Sequence, residues 1–290
     1  VIHLEGMGVL GSFIAWTLHQ RGVQFTWHDI DSSVNAWRAS TGAVFPTGEV
    51  EDIDGMRMWQ HWLATPSAQL QASTERASWW YCTKAPAHGA KGKPIADLGA
   101  LKRHPVDSIH FNAQNFVPAT RVRFDSQRVG CAPTGAQLVV SHGFNERLDH
   151  YVWGWTRLVQ LQCDSRMLVA GRPSIYCREG RFVMAYAYPI AGTSYWYAGS
   201  SLIVQKKPHD LDVQKKYDTW LKHFTRLTGG LVKVVGAAQF LTGWRPRGLA
   251  TDGQWWRRRA DGALLLKPHW HNGVRHAPLV VNALFKELGL

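Results

Sequence analysis

No hydrophobic run in this chain approaches ~18 residues, so the sequence predicts no membrane-spanning helix. It opens directly on strand residues, without a basic leader or an apolar leader core, and no signal peptide is expected. Cysteine is scarce: Cys82, Cys131, Cys163 and Cys177 form no CxxC pair. That argues against a structural zinc site and predicts reduced thiols in a cytoplasmic protein. Internal repeats, heptads and low-complexity tracts are missing too. Acidic residues are few, 21 against 33 Lys and Arg, which leaves a formal charge of +12. Tryptophan, by contrast, is abundant, with 15 against 11 Phe. A basic surface with many stackable aromatics suits a polyanion that carries bases. The same composition also suits a basic enzyme whose tryptophans fill its core.

The first 31 residues are the most informative. Val1–Glu5 reads as a buried strand and runs into Gly6-Met7-Gly8-Val9-Leu10-Gly11. An apolar-periodic helix with Phe13, Ile14 and Leu18 follows and stops at Gly22. A second strand, Val23–His28, ends in Asp29. Strand, GxGxxG turn, helix, strand and acid in this order form a dinucleotide-binding signature. Gly6 permits the tight turn. Gly8 lets backbone approach a pyrophosphate lying on the helix N-terminus, and Gly11 lets helix and strand pack closely. Asp29 would accept hydrogen bonds from a ribose diol.

Further along, helical patterning returns at Ile53–Leu63. Residues 84–105, rich in Lys, His, Gly and Pro, read as an exposed excursion. Short strands are expected around Asn115–Phe124 and Gln137–Ser141. Alternation over 153–201 predicts antiparallel sheet. A helix is predicted over Asp212–Thr228, stopped by Gly229-Gly230. Strands are expected near Val232–Gln239 and Ala263–Lys267, and a last helix from about Ala277 to Leu288. The fold class is therefore α/β: a Rossmann-type nucleotide domain with an inserted, mainly antiparallel β-sheet domain. The expected division is 1–60, 114–152 and 241–290 for the nucleotide domain. It leaves 61–113 and 153–240 for the inserted one, the former carrying the basic excursion.

Three more segments act with the glycine turn. They are Arg38-Ala39-Ser40-Thr41-Gly42, the strand ending in Ser141-His142-Gly143, and the tail. The tail holds Gly243-Trp244-Arg245-Pro246, then His271-Asn272-Gly273-Val274 before the last helix. In this order the chain resembles the FAD-dependent D-amino-acid oxidase and glycine oxidase superfamily, closely at both ends and loosely in the middle. His142 departs from the usual Thr of that family's Ala-Thr-Gly turn. The resemblance implies FAD held by Gly6, Gly8, Leu10, Gly11, Asp29, Arg38, Ser40, Thr41, Ser141 and Gly143. It places Val122 where a backbone meets adenine. His271, Asn272, Gly273 and Val274 would run along the isoalloxazine, ahead of a helix whose positive end favours reduced flavin. It implies that Arg245 binds a substrate carboxylate in a two-pronged pair. Tyr186 would touch the same carboxylate, with Tyr188 and Tyr197 as alternatives. The reaction implied is amine oxidation with O2 as acceptor, and no protein base is required.

Two features set this chain apart from a small-amino-acid oxidase: a shorter middle and its basic surface. Trp255-Trp256-Arg257-Arg258-Arg259 lies between two turn signals and predicts a hairpin arm, with Lys206 and Lys207 adding charge. The arm reads either as a DNA contact or as an exposed strand with solvated arginines. Together these features look like the phage flavin oxidases of thymidine hypermodification. The implied partner is then double-stranded DNA carrying a modified thymine, with no metal and no membrane. The alternative is an oxidase of free glycine, sarcosine or a D-amino acid.

Overall fold

A computed structural model describes residues 1–30, 36–44, 50–64, 67–83, 93–105, 108–141, 151–179, 183–200, 203–205, 212–246, 255–266 and 274–290. In chain order, β1 (Ile2–Glu5), α1 (Val9–Gln20) and β2 (Phe25–His28) are followed by a 3-10 turn, Ala36–Ala39, and β3 (Ala43–Val44). Next come α2 (Val50–Ala64), α3 (Ala68–Ala72), β4 (Thr74–Thr83), β5 (Ala96–Asp97), β6 (Lys102–Arg103), β7 (Ser108–Phe111) and α4 (Ala113–Arg123). The middle holds β8 (Gln137–Val140), β9 (Tyr151–Cys163), β10 (Pro173–Glu179), β11 (Val183–Pro189), β12 (Trp196–Ser200) and β13 (Ile203–Gln205). The chain closes with α5 (Val213–Thr228), β14 (Val232–Pro246), β15 (Trp256–Arg258), β16 (Leu264–Leu266) and α6 (Ala277–Glu287).

The first sheet has the order β15-β16-β8-β1-β2. β1 is parallel to β2 and β8, and β16 is parallel to β8. Strands from the start, middle and end of the chain therefore share one sheet. Its apolar face is built by Leu4, Trp27, Val139 and Leu264, and it packs with Phe13, Phe111, Phe116 and Leu284 in one core. A fully buried side chain of this size contributes roughly 1.5–3 kcal/mol.

The second sheet has the order β13-β9-β12-β11-β10-β4-β6-β5, with β14 beside β9. Period-2 alternation gives it two distinct faces. Ile175, Cys177, Ala185, Ala187, Trp196 and Ala198 form one core with Tyr217, Trp220 and Phe224 of α5. Asp212 caps α5 through Lys215 N, and Gly229 ends it in the left-handed region at φ 60°. Residues of opposite parity, Tyr176, Tyr186, Tyr188 and Tyr197, occupy the other face.

Several expectations need correcting. Asn115–Phe124 is not a strand. Asn112 accepts from Asn115 N and starts helix α4, which reaches Arg123 and tolerates Pro118. Its β-branched residues imitate a strand, but one helical face (Phe116, Val117, Thr120) is buried. The later half of the 84–105 excursion also folds back on β4 as the β5–β6 hairpin, and it buries Leu101 and His104. The ten-residue strand β4, which no sequence expectation covers, runs parallel to β10 inside the sheet.

Candidate active site

The glycine turn is assembled at the C-terminal ends of β1 and β8. Gly6 takes φ +96°, and a Cβ there would lie 2.9 Å from Ser141 O. A Cβ on Gly11 would lie 2.0 Å from Gly6 O. Only glycine allows strand, turn and helix to approach this closely. Ser141 continues the β8–β1 pairing by donating its N–H to Glu5 O, and its hydroxyl donates to Gly6 O at 2.6 Å. Leu10 packs, partly buried, against the core beneath. The N-cap of α1 is Gly8, which offers no side-chain hydrogen bond to the first-turn N–H groups. Those groups are the donors that an anion at a helix N-terminus accepts from.

Asp29 lies beside this turn and accepts from Met7 N and from Arg121 Nη2, the latter at 2.9 Å. Arg121 also donates from Nε to Met7 O at 3.0 Å. It comes from α4, and no sequence motif pointed to it. Trp37, in the Ala36–Ala39 turn, lies next to Gly8: a Cβ added there would be 3.8 Å from its Cδ1. Guanidinium carbons of Arg38 and Arg121 stand 4.7 and 5.7 Å from its ring centroids. Its Nε1 is buried without a hydrogen-bond partner in the structure. Open helix-terminal donors, two cations and an unsatisfied indole N–H around one glycine fit a dinucleotide pyrophosphate, and Asp29 fits its ribose.

A second residue outside the motifs, Gln114, ties the two lobes together. Its Nε2 donates to Arg38 O at 2.9 Å and to Ser40 O at 3.2 Å, while its Oε1 accepts from the Tyr197 hydroxyl. Ser40 Oγ accepts from Gly42 N, and Thr41 lies in the same turn, half-buried. The C-terminal segment joins from the other side. Val274 O accepts from Trp59 Nε1 at 3.0 Å, and the Trp59 ring packs on Phe13 of α1. Residues 269–273 and Gly143 fall outside the described residues, so His271, Asn272 and Gly273 are not located.

Val122 does not have the setting expected of it. It lies inside α4 and is 79% exposed. The backbone beside β2 is instead that of Arg128 and Val129, with Val129 N donating to Trp27 O at 2.9 Å.

On the face of the second sheet opposite α5, aromatic rings stack. Tyr186 and Tyr188 are parallel within 7° at 4.7 Å, and Trp79 stacks on both Tyr176 and Tyr188. Burial is the largest cause raising the Tyr188 hydroxyl well above its usual range. His110 packs on Tyr188 at 5.3 Å. Ser108 donates to Ala77 O and accepts from His110 Nε2, which leaves Nδ1 as a buried acceptor. Burial, then Arg172, pushes the His110 pKa down to about 3.

Arg245 occupies β14 opposite Val152 of β9, four residues beyond Leu241, which pairs with Thr156. That even spacing gives it the same strand parity as Thr156. Both β9 and β14 pack against the Ala36–Ala39 turn, which brings the strand bearing Arg245 to the lobe holding the glycine turn.

The expected hairpin arm forms, with β15 antiparallel to β16 at the sheet edge. Trp255 and Trp256 pack against the first core, however, and Arg258 and Arg259 pair with Glu287 and Asp261 at 2.6 and 2.7 Å. Trp256 pairs with Leu266 and Arg258 with Leu264, so the arginines run toward the N-terminal ends of the parallel strands. Ligands of such sheets bind at the opposite end. Lys206 and Lys207 fall outside the described residues. Among the described residues no His, Cys, Asp and Glu group could hold a metal, and no helix is long and apolar enough to cross a membrane.

No protein-family model matches the chain, and no curated protein matches its sequence. Solved structures match its fold over nearly its whole length. An iminodiacetate oxidase from Chelativorans sp. BNC1 superposes with a TM-score of 0.73 at 14% identity, covering 100% of this chain and 95% of that one. A glycine oxidase from Bacillus cereus ATCC 14579 gives 0.67 at 12% identity, covering 99% and 94%. An FAD-dependent oxidoreductase from Pseudomonas aeruginosa gives 0.62 at 16%, covering 99% and 90%. The chain has the mixed α/β fold of these flavoenzymes.

Proposed function

We propose that the protein is an FAD-dependent amine oxidase. Its proposed substrate is N-glycinyl-thymidine in duplex DNA, and it breaks the bond between nitrogen and the glycine Cα. The observation that carries the oxidase reading is the meeting of β14, which bears Arg245, with the Arg38 turn beside the glycine cradle. Gly6, Gly8, Gly11, Asp29, Arg38 and Ser141 would hold FAD, which supplies the two-electron acceptor when bound.

The rest is the work of the chain. Arg245 would pair with the glycyl carboxylate and fix the Cα in one orientation. The amine loses a hydride from Cα and the proton from nitrogen, which leaves an imine. Water adds to the imine, and the C–N bond breaks to give glyoxylate and 5-aminomethyl-deoxyuridine. The two electrons and two protons end on O2 as hydrogen peroxide. Iminodiacetate, named for one structural neighbour's substrate, is likewise a secondary amine bearing a carboxymethyl arm.

A second reading, oxidation of free glycine, sarcosine or a D-amino acid, is favoured by one observation: the hairpin arginines turn away from the ligand end of the sheet. The test is anaerobic mixing of FAD-loaded protein with free glycine, sarcosine and duplex DNA carrying N-glycinyl thymidine. Bleaching by the DNA substrate is expected. Bleaching by free amino acids alone rejects the DNA reading, and no bleaching by any of them rejects the oxidase. Arg245→Ala is expected to keep its flavin and lose at least 100-fold in kcat/KM; unchanged turnover removes Arg245 from the site.

A further inference from the structure

We infer that Cys82 and Cys177 form a paired-thiol site that hydroperoxides oxidise to a disulfide. The inference stands apart from the oxidase reading, although an amine oxidase would release such an oxidant, hydrogen peroxide, as its own product.

Two of the four cysteines meet although they lie far apart in the chain. Cys82 is the last residue but one of β4, and Cys177 sits inside β10. The strands run parallel, and in their register Cys82 pairs directly with Cys177. Both side chains belong to the face that packs under α5. Register partners on neighbouring strands lie about 4.8 Å apart at Cα. Disulfides span about 4.4–6.8 Å between Cα atoms and need Cβ vectors that do not point apart. Neighbours on one face of one sheet meet both conditions. A hydrogen bond already joins the two thiols. The other cysteines lack this arrangement. Cys163 of β9 pairs with Val232 of β14, and burial pushes its thiol up to about 12. Cys131 is exposed and lies outside both sheets.

The two members of the pair are unlike, and the difference sets their order of reaction. Cys177 is fully buried. Its hydrogen bond to Cys82, then burial, holds its pKa well above the usual thiol range, so it keeps its proton. Cys82 is partly exposed. Arg226 of α5 attracts its anionic form, and Glu179, two residues beyond Cys177 on β10, holds that guanidinium in place. A cation beside a reachable sulfur favours the thiolate, the form that attacks peroxide. Cys82 sulfur attacks one peroxide oxygen and the O–O bond breaks. The leaving hydroxide takes up the proton that the thiol released and becomes water, and Cys82 is left as a sulfenic acid. Cys177 sulfur then attacks Cys82. The S–O bond breaks, the S–S bond forms, and the Cys177 proton leaves with the oxygen as a second water. Two thiols give up two electrons in all, and one peroxide takes them. The product is neutral, so it strands no charge in an apolar core.

The FAD-loaded protein carrying Cys131→Ser tests this with hydrogen peroxide, followed by thiol counting and peptide mapping without reductant. The expected result is the loss of two thiols and two hydrogens per chain, with Cys82 and Cys177 in one cross-linked peptide pair. Dithiothreitol should restore both thiols. Cys82→Ser should slow the loss of the Cys177 thiol by about 10-fold or more, because the reachable sulfur is gone. Cys177→Ala should stop Cys82 at a sulfenic acid that dimedone traps. The cross-link in the parent protein decides the matter even where a variant fails to fold. A free Cys177 thiol beside a Cys82 oxidised to sulfinic or sulfonic acid would overturn the inference. So would an unchanged rate of Cys177 loss in Cys82→Ser, or a disulfide made through Cys163 instead.

Discussion

Asp29 and Arg121 illustrate how a recognisable residue depends on one that no motif reveals. The carboxylate closing β2 is legible from its place after the glycine turn. Its guanidinium partner is 92 residues away and enters from a segment read as a strand. Both side chains are largely buried, at 7% and 15% exposure, so the pair is shielded from solvent. Arg121→Gln should therefore lower FAD affinity at least 10-fold by titration of the apoprotein. It should also cost about 2–3 kcal/mol in urea unfolding, as for hydrogen bonds to charged groups. Gly11→Ala is expected to be worse, because its Cβ meets backbone oxygen rather than a movable side chain. Such a variant should lose flavin and cooperative unfolding together, seen by absorbance and circular dichroism.

Among the elements, α4 and the β15–β16 hairpin most change the reading. Periodicity alone does not separate a short, β-branched helix such as α4 from a strand, and Val122 lies within that helix. The backbone that joins β2 comes six to seven residues later, at Arg128–Val129. The hairpin was anticipated from its two turn signals, yet the direction of its strands was not. Exposed ion pairs such as Arg258–Glu287 are worth about 0–1 kcal/mol and exchange readily for phosphate. Replacing Arg257–Arg259 with Ser should leave flavin content unchanged. If the arm touches DNA, it should also reduce the slope of log affinity against log salt by up to about 3. An unchanged slope assigns those arginines to the protein's own surface.

At the scale of the whole molecule, neutral buried histidines make stability depend on pH. His110 is held at about 3, chiefly by burial, well below its unfolded value of 6.5, and burial lowers His3 as well. Between these values the unfolded chain binds more protons than the folded one. Stability is therefore full above pH 6.5 and falls as pH drops toward 3. Thermal unfolding from pH 8 to pH 4 should show a falling Tm below about pH 6.5, with a shallower fall in His110→Gln. A flat profile would show that His110 is charged in the folded state.

The sequence by itself determined the strand–turn–helix–strand opening, the helix that Gly229 stops, and the alternation of the middle sheet. These depend on residues close together in the chain, where steric and periodic rules act directly. Only the tertiary structure decided that Arg121 faces Asp29, that Gln114 joins Tyr197 to the Arg38 turn, and that Gly154 faces Gly243. Those contacts join helix, turn and strands that lie 74 to 92 residues apart in the chain. Register follows from the packing of both sheet faces at once, and no short segment contains that information.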